Sequence, residues 1–281
     1  LAYLAAQVCM MEKCKLILWF SDTGLEFPEL KSHVKTYGKW LKEQFPDLEI
    51  ETVIDYPKDR KGNRISFRDV ILKYGYPILS KNISRKIHDV QKMGQNCYAA
   101  RCFDGRETGT YDLQKWKFVI DAPFQVSARC CDVLKKNPSH RYAKKTGRAP
   151  IIGTMACESQ WRRIEWLRHG CNAFDNKEPA SRPISFWTEQ DILAFISKYN
   201  LPYPSIYGEI LQDEKGKWYT TGYNRTGCMY CAYGAHLEKE PNRFQRLKQT
   251  HPKIWDYCMR PVSEGGLGMR EVLEFIHVKI E

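Results

Sequence analysis

The stretch that decides the fold is Lys15–Asp22, KLILWFSD. A short apolar run that ends in turn residues is typical of a buried strand in a parallel sheet. Pro28 then opens a segment whose apolar residues recur near helical spacing, and proline is favoured at the first position of a helix. Leu48–Ile54 alternates polar and apolar residues and predicts the next strand. This order of strand, helix and strand predicts an α/β fold.

Strand and helix signals continue to alternate along the chain as far as Asn200. Further helices are predicted at Ile65–Leu72, Ile83–Met93, Glu158–Arg168 and Thr188–Tyr199, and further strands at Ala149–Gly153 and Ile184–Trp187. Thr188 and Asp191 have the spacing of a capping box. After Asn200 the chain is rich in Pro, Gly and aromatic residues, with helices predicted at Pro241–Lys248, Pro252–Met259 and Met269–Ile276. We therefore predict a parallel twisted sheet with helices on both faces over residues 1–200, and a mainly helical C-terminal lobe over residues 201–281.

Composition excludes several classes of protein. The chain has 281 residues, of which 43% are hydrophobic and 27% charged, so it is not a disordered tail or a fibrous repeat. No apolar run approaches the ~20 residues of a membrane span, so no membrane partner is expected. Eleven cysteines are too sparse for a small disulfide scaffold. Their odd number predicts reduced thiols, and we expect a cytoplasmic protein.

The cysteines form the most informative pattern. Cys130 and Cys131 are adjacent, and Cys228 and Cys231 form a CxxC motif further along the chain. Four thiolates are the usual ligands of a [4Fe–4S] cluster, and adjacent cysteines are an awkward pair for one tetrahedral zinc ion. The spacing alone leaves two interpretations open. The four residues either hold a cluster, or they are two buried thiols and a separate redox or zinc pair.

Several segments resemble one enzyme superfamily. The segment Cys130–Pro138 has the form CC-x3-K-x2-P and resembles the cluster-binding segment of assimilatory adenylyl-sulfate (APS) reductases. Other segments resemble the phosphoadenosine phosphosulfate (PAPS) reductase and N-type ATP pyrophosphatase superfamily, the adenine nucleotide α-hydrolases. These segments are SDTGLEFPE at Ser21–Glu29, IGTMACESQWR at Ile152–Arg162, and Pro183–Tyr199 with Trp187 and Asp191. The resemblance covers nearly the whole chain and implies a [4Fe–4S] cluster on the four cysteines.

The resemblance also implies a nucleotide site where parallel strands end. The residues that we expect to bind ATP or an adenylyl nucleotide are Ser21, Asp22, Thr23, Gly24, Gly153, Thr154, Glu158, Arg162 and Lys135. A helix after Gly153-Thr154 would offer N–H groups to a phosphate, and an arginine could pair with its oxygens. The alternatives are ordinary ones: Asp22 as a turn residue, Glu158 as a charge favoured by the helix dipole, and Lys135 as a solvated lysine. The sequence assigns no catalytic residue.

Two departures from the superfamily shape the functional expectation. Its phosphate loop, SGG-x-D-S, is expected immediately before Leu1, and the E-C-G-[IL]-H segment of the reductases has no counterpart, since no cysteine follows Cys258. We therefore expect an ATP pyrophosphatase that uses Mg²⁺ and activates a substrate by adenylation for sulfur transfer. An APS or PAPS reductase, and a non-catalytic nucleotide-sensing or DNA-binding regulator, are the alternatives. Cys157 is the best candidate for a reactive thiol outside the four.

Charge suggests a further partner. Lys and Arg number 44 against 33 Asp and Glu, a formal net charge of +11. The basic residues concentrate in three stretches with interleaved aromatic or histidine residues, at Lys58–Arg68, Arg141–Arg148 and Arg243–Lys253. Such stretches suit nucleic acid, and an anionic small substrate on a solvated basic surface is the alternative. A cysteine desulfurase or another sulfur donor is a further expected partner, and the oligomeric state stays open.

Overall fold

The computed structural model describes residues 1–105, 113–175 and 178–281. It confirms the α/β class. The α-helices are α1 (Ala2–Met11), α2 (Pro28–Gln44), α3 (Phe67–Tyr74), α4 (Lys81–Met93), α5 (Tyr98–Phe103), α6 (Asn137–Thr146), α7 (Gln160–His169), α8 (Glu189–Lys198), α9 (Arg243–Thr250), α10 (Pro252–Met259) and α11 (Met269–Phe275). The strands are β1 (Leu16–Ser21), β2 (Ile50–Asp55), β3 (Ile78–Leu79), β4 (Asn172–Ala173), β5 (Ala180–Ser181), β6 (Ile210–Gln212), β7 (Trp218–Thr220) and β8 (Ala232–Tyr233).

The strands of the described residues form four two-stranded sheets. The pairs β1–β2 and β3–β8 are parallel, whereas β4–β5 and β6–β7 are antiparallel. The strand and helix predicted from the opening stretch are both present: β1 carries the apolar run, and Pro28 stands in the first turn of α2. A parallel pair needs a crossover connection, which α2 provides between β1 and β2.

Two predicted strands are wrong. Within Ala149–Gly153 only Ile151 makes an isolated parallel bridge, to Ser181. Ile184–Trp187 is a turn, in which the Ser185 N–H donates to the Arg182 carbonyl at 3.0 Å. Pro183 explains the turn, because proline presets φ for the second position of a β-turn. The apolar content of the segment concealed this signal.

The chain divides into two compact units, and neither is continuous in sequence. Unit 1 consists of Leu1–Asp22, Glu26–Asp55 and Ser139–Thr226; unit 2 consists of Thr23–Leu25, Tyr56–Pro138 and Gly227–Glu281. A core in unit 1 is formed by Ala6, Leu16, Leu41 and Leu48. The fully buried side chains of unit 2 include Phe103, Phe244, Leu247 and Leu273. The boundary near residue 200 stays a prediction.

No helix in the described part of the chain is both long and apolar enough to cross a membrane.

Candidate functional site

The adjacent cysteines lie at the start of a helix that is locally widened. Cys130 and Cys131 are helical, and Asp132–Lys136 forms a π-helical turn that leads into α6. The Asn137 N–H donates to the Asp132 carbonyl, five residues back. Pro138 accounts for the widening, because it has no N–H to donate to the carbonyl four residues before it. Single π-helical turns are frequent at functional sites.

The CxxC motif is held by the backbone on both sides. The Cys231 N–H donates to the Cys228 carbonyl at 3.1 Å, which closes the turn, and the Met229 N–H donates to the Leu25 carbonyl at 2.8 Å. Strand β8 follows directly and pairs with β3. The Arg243 guanidinium donates to the Cys231 carbonyl at 2.9 Å. The motif is therefore fixed by hydrogen bonds that its own thiols do not make.

All four cysteines belong to unit 2, and their charges act on one another. The Cys130 and Cys131 Sγ atoms are 3.9 Å apart. Their hydrogen bond and the burial of Cys130 raise the pKa of Cys130, which is also raised by the charges of Cys131, Cys231 and Cys228. The same hydrogen bond lowers the pKa of Cys131. The structure thus brings together the four thiols that the sequence singled out.

Positive groups surround these thiols. Lys135 hydrogen-bonds to Cys228 and, with Lys81, lowers the pKa of Cys131. Burial raises the pKa of Cys228 to about 11 and also raises the pKa of Cys231, while the Arg243 charge acts in the opposite direction. Buried thiols keep their protons unless a cation compensates the thiolate charge. The four thiols can therefore become thiolates only with positive charge beside them, and the lysines supply part of that charge.

A further polar group completes this site. The hydroxyl of Tyr233 is buried, and it has no hydrogen-bond partner among the described residues. Burial raises the pKa of Tyr233, and the charges of Cys130, Cys131 and Cys231 raise it further. A buried donor without an acceptor is costly, and so its presence beside three thiols indicates a missing acceptor. The donor set and this orphaned hydroxyl fit an anionic, sulfur-rich group such as an iron–sulfur cluster.

No group of three or more His, Cys, Asp or Glu side chains in the described ranges is arranged to hold a metal ion. All eleven cysteines are free thiols, and each lies in a described range. Cys157 is exposed, with its Sγ atom 3.5 Å from the Trp187 carbonyl oxygen, whereas Cys258 is fully buried.

The first group of predicted nucleotide residues follows β1. Ser21 is paired in register with Asp55 of β2, and the Asp22 N–H donates to the Asp55 carbonyl at 2.8 Å. The Asp22 carboxylate forms an ion pair with Lys31 at 2.7 Å. Gly24 has a φ of 78°, which favours glycine. The carboxyl ends of β1 and β2 thus meet at one edge, as the sequence predicts, but the Asp22 side chain is engaged by α2.

A cavity of about 590 Å³ lies beside β1 in unit 1. It is lined by residues of β1, by residues of α2 and by the segment 148–151. Each predicted nucleotide segment follows residues that line this cavity. Ser21 comes directly after Phe20, and Gly153 comes two residues after Ile151. Tyr142 of α6 also lines the cavity and packs against Trp19 in a tilted arrangement, with ring centroids 5.8 Å apart.

The second group of nucleotide residues lies in unit 1 with Ser21 and Asp22, whereas Thr23 and Gly24 belong to unit 2. The Ile152 N–H donates to the Ser181 carbonyl, which holds the segment before Gly153 and Thr154. Glu158 accepts a hydrogen bond from the Met155 N–H at 2.8 Å and forms an ion pair with Arg162. Lys135, in contrast, belongs to unit 2 and to the cysteine site.

The structure distinguishes the three basic stretches. Arg68 donates to the carbonyls of Val262 and Gly266, and Arg243 is bound by Glu238, so both are used inside unit 2. The stretch Arg141–Arg148 differs, because its basic side chains are all exposed.

Sequence reasoning missed Tyr233, Lys81 and Arg243. Tyr233 follows the CxxC motif by two residues, and its proximity to that motif is the one signal that could have found it. Lys81 is the first residue of α4, and Leu79, two residues before it at the end of β3, has a φ of 58°.

Comparison with known families agrees with this site. Residues 106–233 match the family model of the phosphoadenosine phosphosulfate reductase domain. This stretch is similar to the PAPS reductase domain, and all four cysteines lie within it. This family is enzymatic, and its chemistry concerns sulfur and adenine nucleotides. No curated protein and no solved structure matches the chain.

Proposed function

We propose that the protein is an ATP pyrophosphatase that adenylates a substrate for sulfur transfer to nucleic acid, and that it holds a [4Fe–4S] cluster on Cys130, Cys131, Cys228 and Cys231. The observation that carries the proposal is the convergence of these four thiols in one compact unit. The orphaned Tyr233 hydroxyl and the Lys135 ammonium beside them support it.

A cluster suits these thiols better than a single ion does. Each thiolate binds a different iron atom of a cubane, and so the four sulfur atoms need not meet at one point. Adjacent cysteines can serve two corners of such a group.

The cluster is tested by anaerobic purification and metal analysis. About four iron atoms per chain are expected, with brown colour. Cys228→Ser should lose most of the iron, whereas Cys14→Ser, at an exposed thiol of unit 1, should keep it. A colourless protein that contains one zinc ion per chain would overturn this part of the proposal.

The nucleotide is assigned to the edge where β1 and β2 end. Backbone N–H groups after Gly153 would bind phosphate oxygens, and Arg162 would neutralise their charge when it exchanges Glu158 for the ligand. The ion pair with Lys31 would orient the Asp22 carboxylate. Bound Mg²⁺ would neutralise the triphosphate charge. The chain's own residues thus position the α-phosphate for attack by the acceptor.

ATP hydrolysis to AMP and pyrophosphate is the direct test of this activity. Calorimetry should show weaker ATP binding by Asp22→Ala than by Asp47→Asn, a control at an exposed turn. The pyrophosphatase reaction needs no nucleophilic cysteine, whereas sulfonucleotide reduction needs a free thiolate. Release of sulfite from APS or PAPS with thioredoxin would favour the reductase instead, and ATP binding without turnover would favour a regulator.

Nucleic acid is proposed as the acceptor because of the stretch Arg141–Arg148. Its basic side chains are exposed, and Tyr142 and Arg148 line the cavity beside β1. Phosphate binding by such a stretch depends strongly on salt. Lys144→Glu with Lys145→Glu should therefore weaken the binding of a labelled single-stranded oligonucleotide. Lys215→Glu with Lys217→Glu makes the same change of charge in the β6–β7 turn and should leave it unchanged. Equal effects of the two double variants would contradict a specific surface.

We propose a cysteine desulfurase or a similar donor protein as the source of the sulfur. A cysteine desulfurase supplies sulfur as a persulfide, and the exposed Cys157 is a thiol that could receive it. Loss of thiolated product in Cys157→Ser with unchanged pyrophosphate release would support that role. Equal product formation by the variant and the wild type would exclude it.

A further inference from the structure

The hydroxyl of Tyr233 is an anomaly in the packing of unit 2. Its oxygen is shielded from solvent and has no hydrogen-bond partner in the described part of the chain. The backbone around it is fixed, since Tyr233 pairs with Leu79 and the next N–H donates to the Leu79 carbonyl at 2.8 Å. The phenol is therefore held in place while its hydrogen-bonding group is left without an acceptor.

The polar neighbour on the protein side is Ser84, which is fully buried; its hydroxyl donates to the Ile78 carbonyl at 2.5 Å and accepts from the Ile78 N–H at 3.2 Å. The Ser84 oxygen is close to the Tyr233 hydroxyl, but the two do not reach hydrogen-bond geometry. On the other side, Cys130, Cys131 and Cys231 are near enough for their charges to act on the phenol. The acceptor that suits this hydroxyl is therefore a sulfur anion among the cysteines.

We propose that the Tyr233 hydroxyl donates a hydrogen bond to a sulfur atom of the cluster and slows loss of the cluster. This inference rests on the proposed function, which places the cluster on the four cysteines. Hydrogen bonds to charged acceptors are stronger than neutral ones, and hydrogen bonds to the sulfurs are among the interactions that tune an iron–sulfur cluster. Tyr233 acts as a positioning residue and not as a ligand.

The test is Tyr233→Phe, which keeps the ring and removes only the hydroxyl. In the holoprotein, the visible absorbance of the cluster should decay about tenfold faster under a chelator, which corresponds to ~1.4 kcal/mol. In the apoprotein, the same variant should be as heat-stable as the wild type or more so, because it removes an unpaired buried polar group. The predicted effect therefore differs in direction between the two forms.

Tyr76→Phe is the matched control. The Tyr76 hydroxyl is also buried in unit 2, but it donates to the Leu267 carbonyl at 2.9 Å. Its removal should lower the thermal stability of the apoprotein and holoprotein alike, with little change in the rate of cluster loss. Resonance Raman spectra give a second measurement: exchange into D₂O should shift the Fe–S bands of the wild type more than those of Tyr233→Phe.

The outcomes separate the inference from the function that it rests on. A chain without iron overturns both. A chain with the cluster overturns only the role of Tyr233 if the variant loses iron at the wild-type rate, or if its apoprotein is destabilised as much as that of Tyr76→Phe. Faster cluster loss together with an undamaged apoprotein supports the hydrogen bond.

Discussion

Gly75 offers a sharp test of how the fold supports the cysteine site. It follows α3 with φ 99° and ψ 174°, a combination that is essentially restricted to glycine. A Cβ atom there would overlap the Gln125 carbonyl and come within 2.7 Å of the Val126 nitrogen. The N–H of the next residue, Tyr76, donates to the Gln125 carbonyl at 2.8 Å, and the Tyr76 carbonyl accepts from the Ser127 N–H at 3.0 Å. That segment leads directly to Cys130.

Two costs are expected for Gly75→Ala. The backbone conformation costs about 1–3 kcal/mol for a residue other than glycine. Overpacking against a backbone that cannot rotate away adds about 1–3 kcal/mol. Gly94→Ala separates the two costs, because Gly94 follows α4 with φ 80° and ψ −176° and no atom of the described residues lies within 4 Å of its Cβ position. The difference between the variants isolates the steric part.

Urea unfolding measures the free energy of unfolding of Gly75→Ala and of Gly94→Ala. The iron content of each variant measures the effect on the cysteine site. We expect Gly75→Ala to lose at least ~1 kcal/mol more than Gly94→Ala. It should also bind less iron, because displacement of Gln125–Ser127 moves the start of the cysteine helix. Equal losses of free energy in the two variants would refute the steric argument, and a normal iron content in a clearly destabilised Gly75→Ala would refute its link to the site.

Three further predictions concern pH and packing. Burial, and then the Lys115 charge, lower the pKa of His236 in the folded protein, so the unfolded chain binds this proton at a higher pH than the folded chain does. The free energy of unfolding should therefore fall as the pH drops through 6.5. His236→Phe should flatten this pH dependence of the urea midpoint, and an unchanged slope would contradict the assignment. Thr188→Ala should cost about 1 kcal/mol by removing the N-cap of α8, whereas unchanged thermal unfolding would argue against that cap. Leu134→Ala should lower the free energy of unfolding by about 2–5 kcal/mol, since Leu134 is fully buried in the π-helical turn. A loss below about 1 kcal/mol in urea would show that neighbouring atoms fill the cavity left by the side chain.

Local signals predicted most of the helices. Pro28 begins α2, the Thr188–Asp191 capping box begins α8, and the apolar run of β1 forms a strand. These features depend on neighbours within a few residues, such as an N–H that needs a cap or a ring that fixes φ. The same reasoning failed at Ile184–Trp187, where the apolar residues suggested a strand and Pro183 directed a turn.

The sequence by itself determined the α/β class, and it predicted the resemblance to PAPS reductases and the set of four cysteines, because these are carried by residue types and their spacing. Only the tertiary structure decided that Lys135 joins the cysteine site, that Asp22 pairs with Lys31, and that a tyrosine hydroxyl is left without an acceptor beside the thiols. Such facts depend on where side chains from distant segments meet. Burial and electrostatic fields are sums over all neighbours in space, and no local pattern in the chain encodes them.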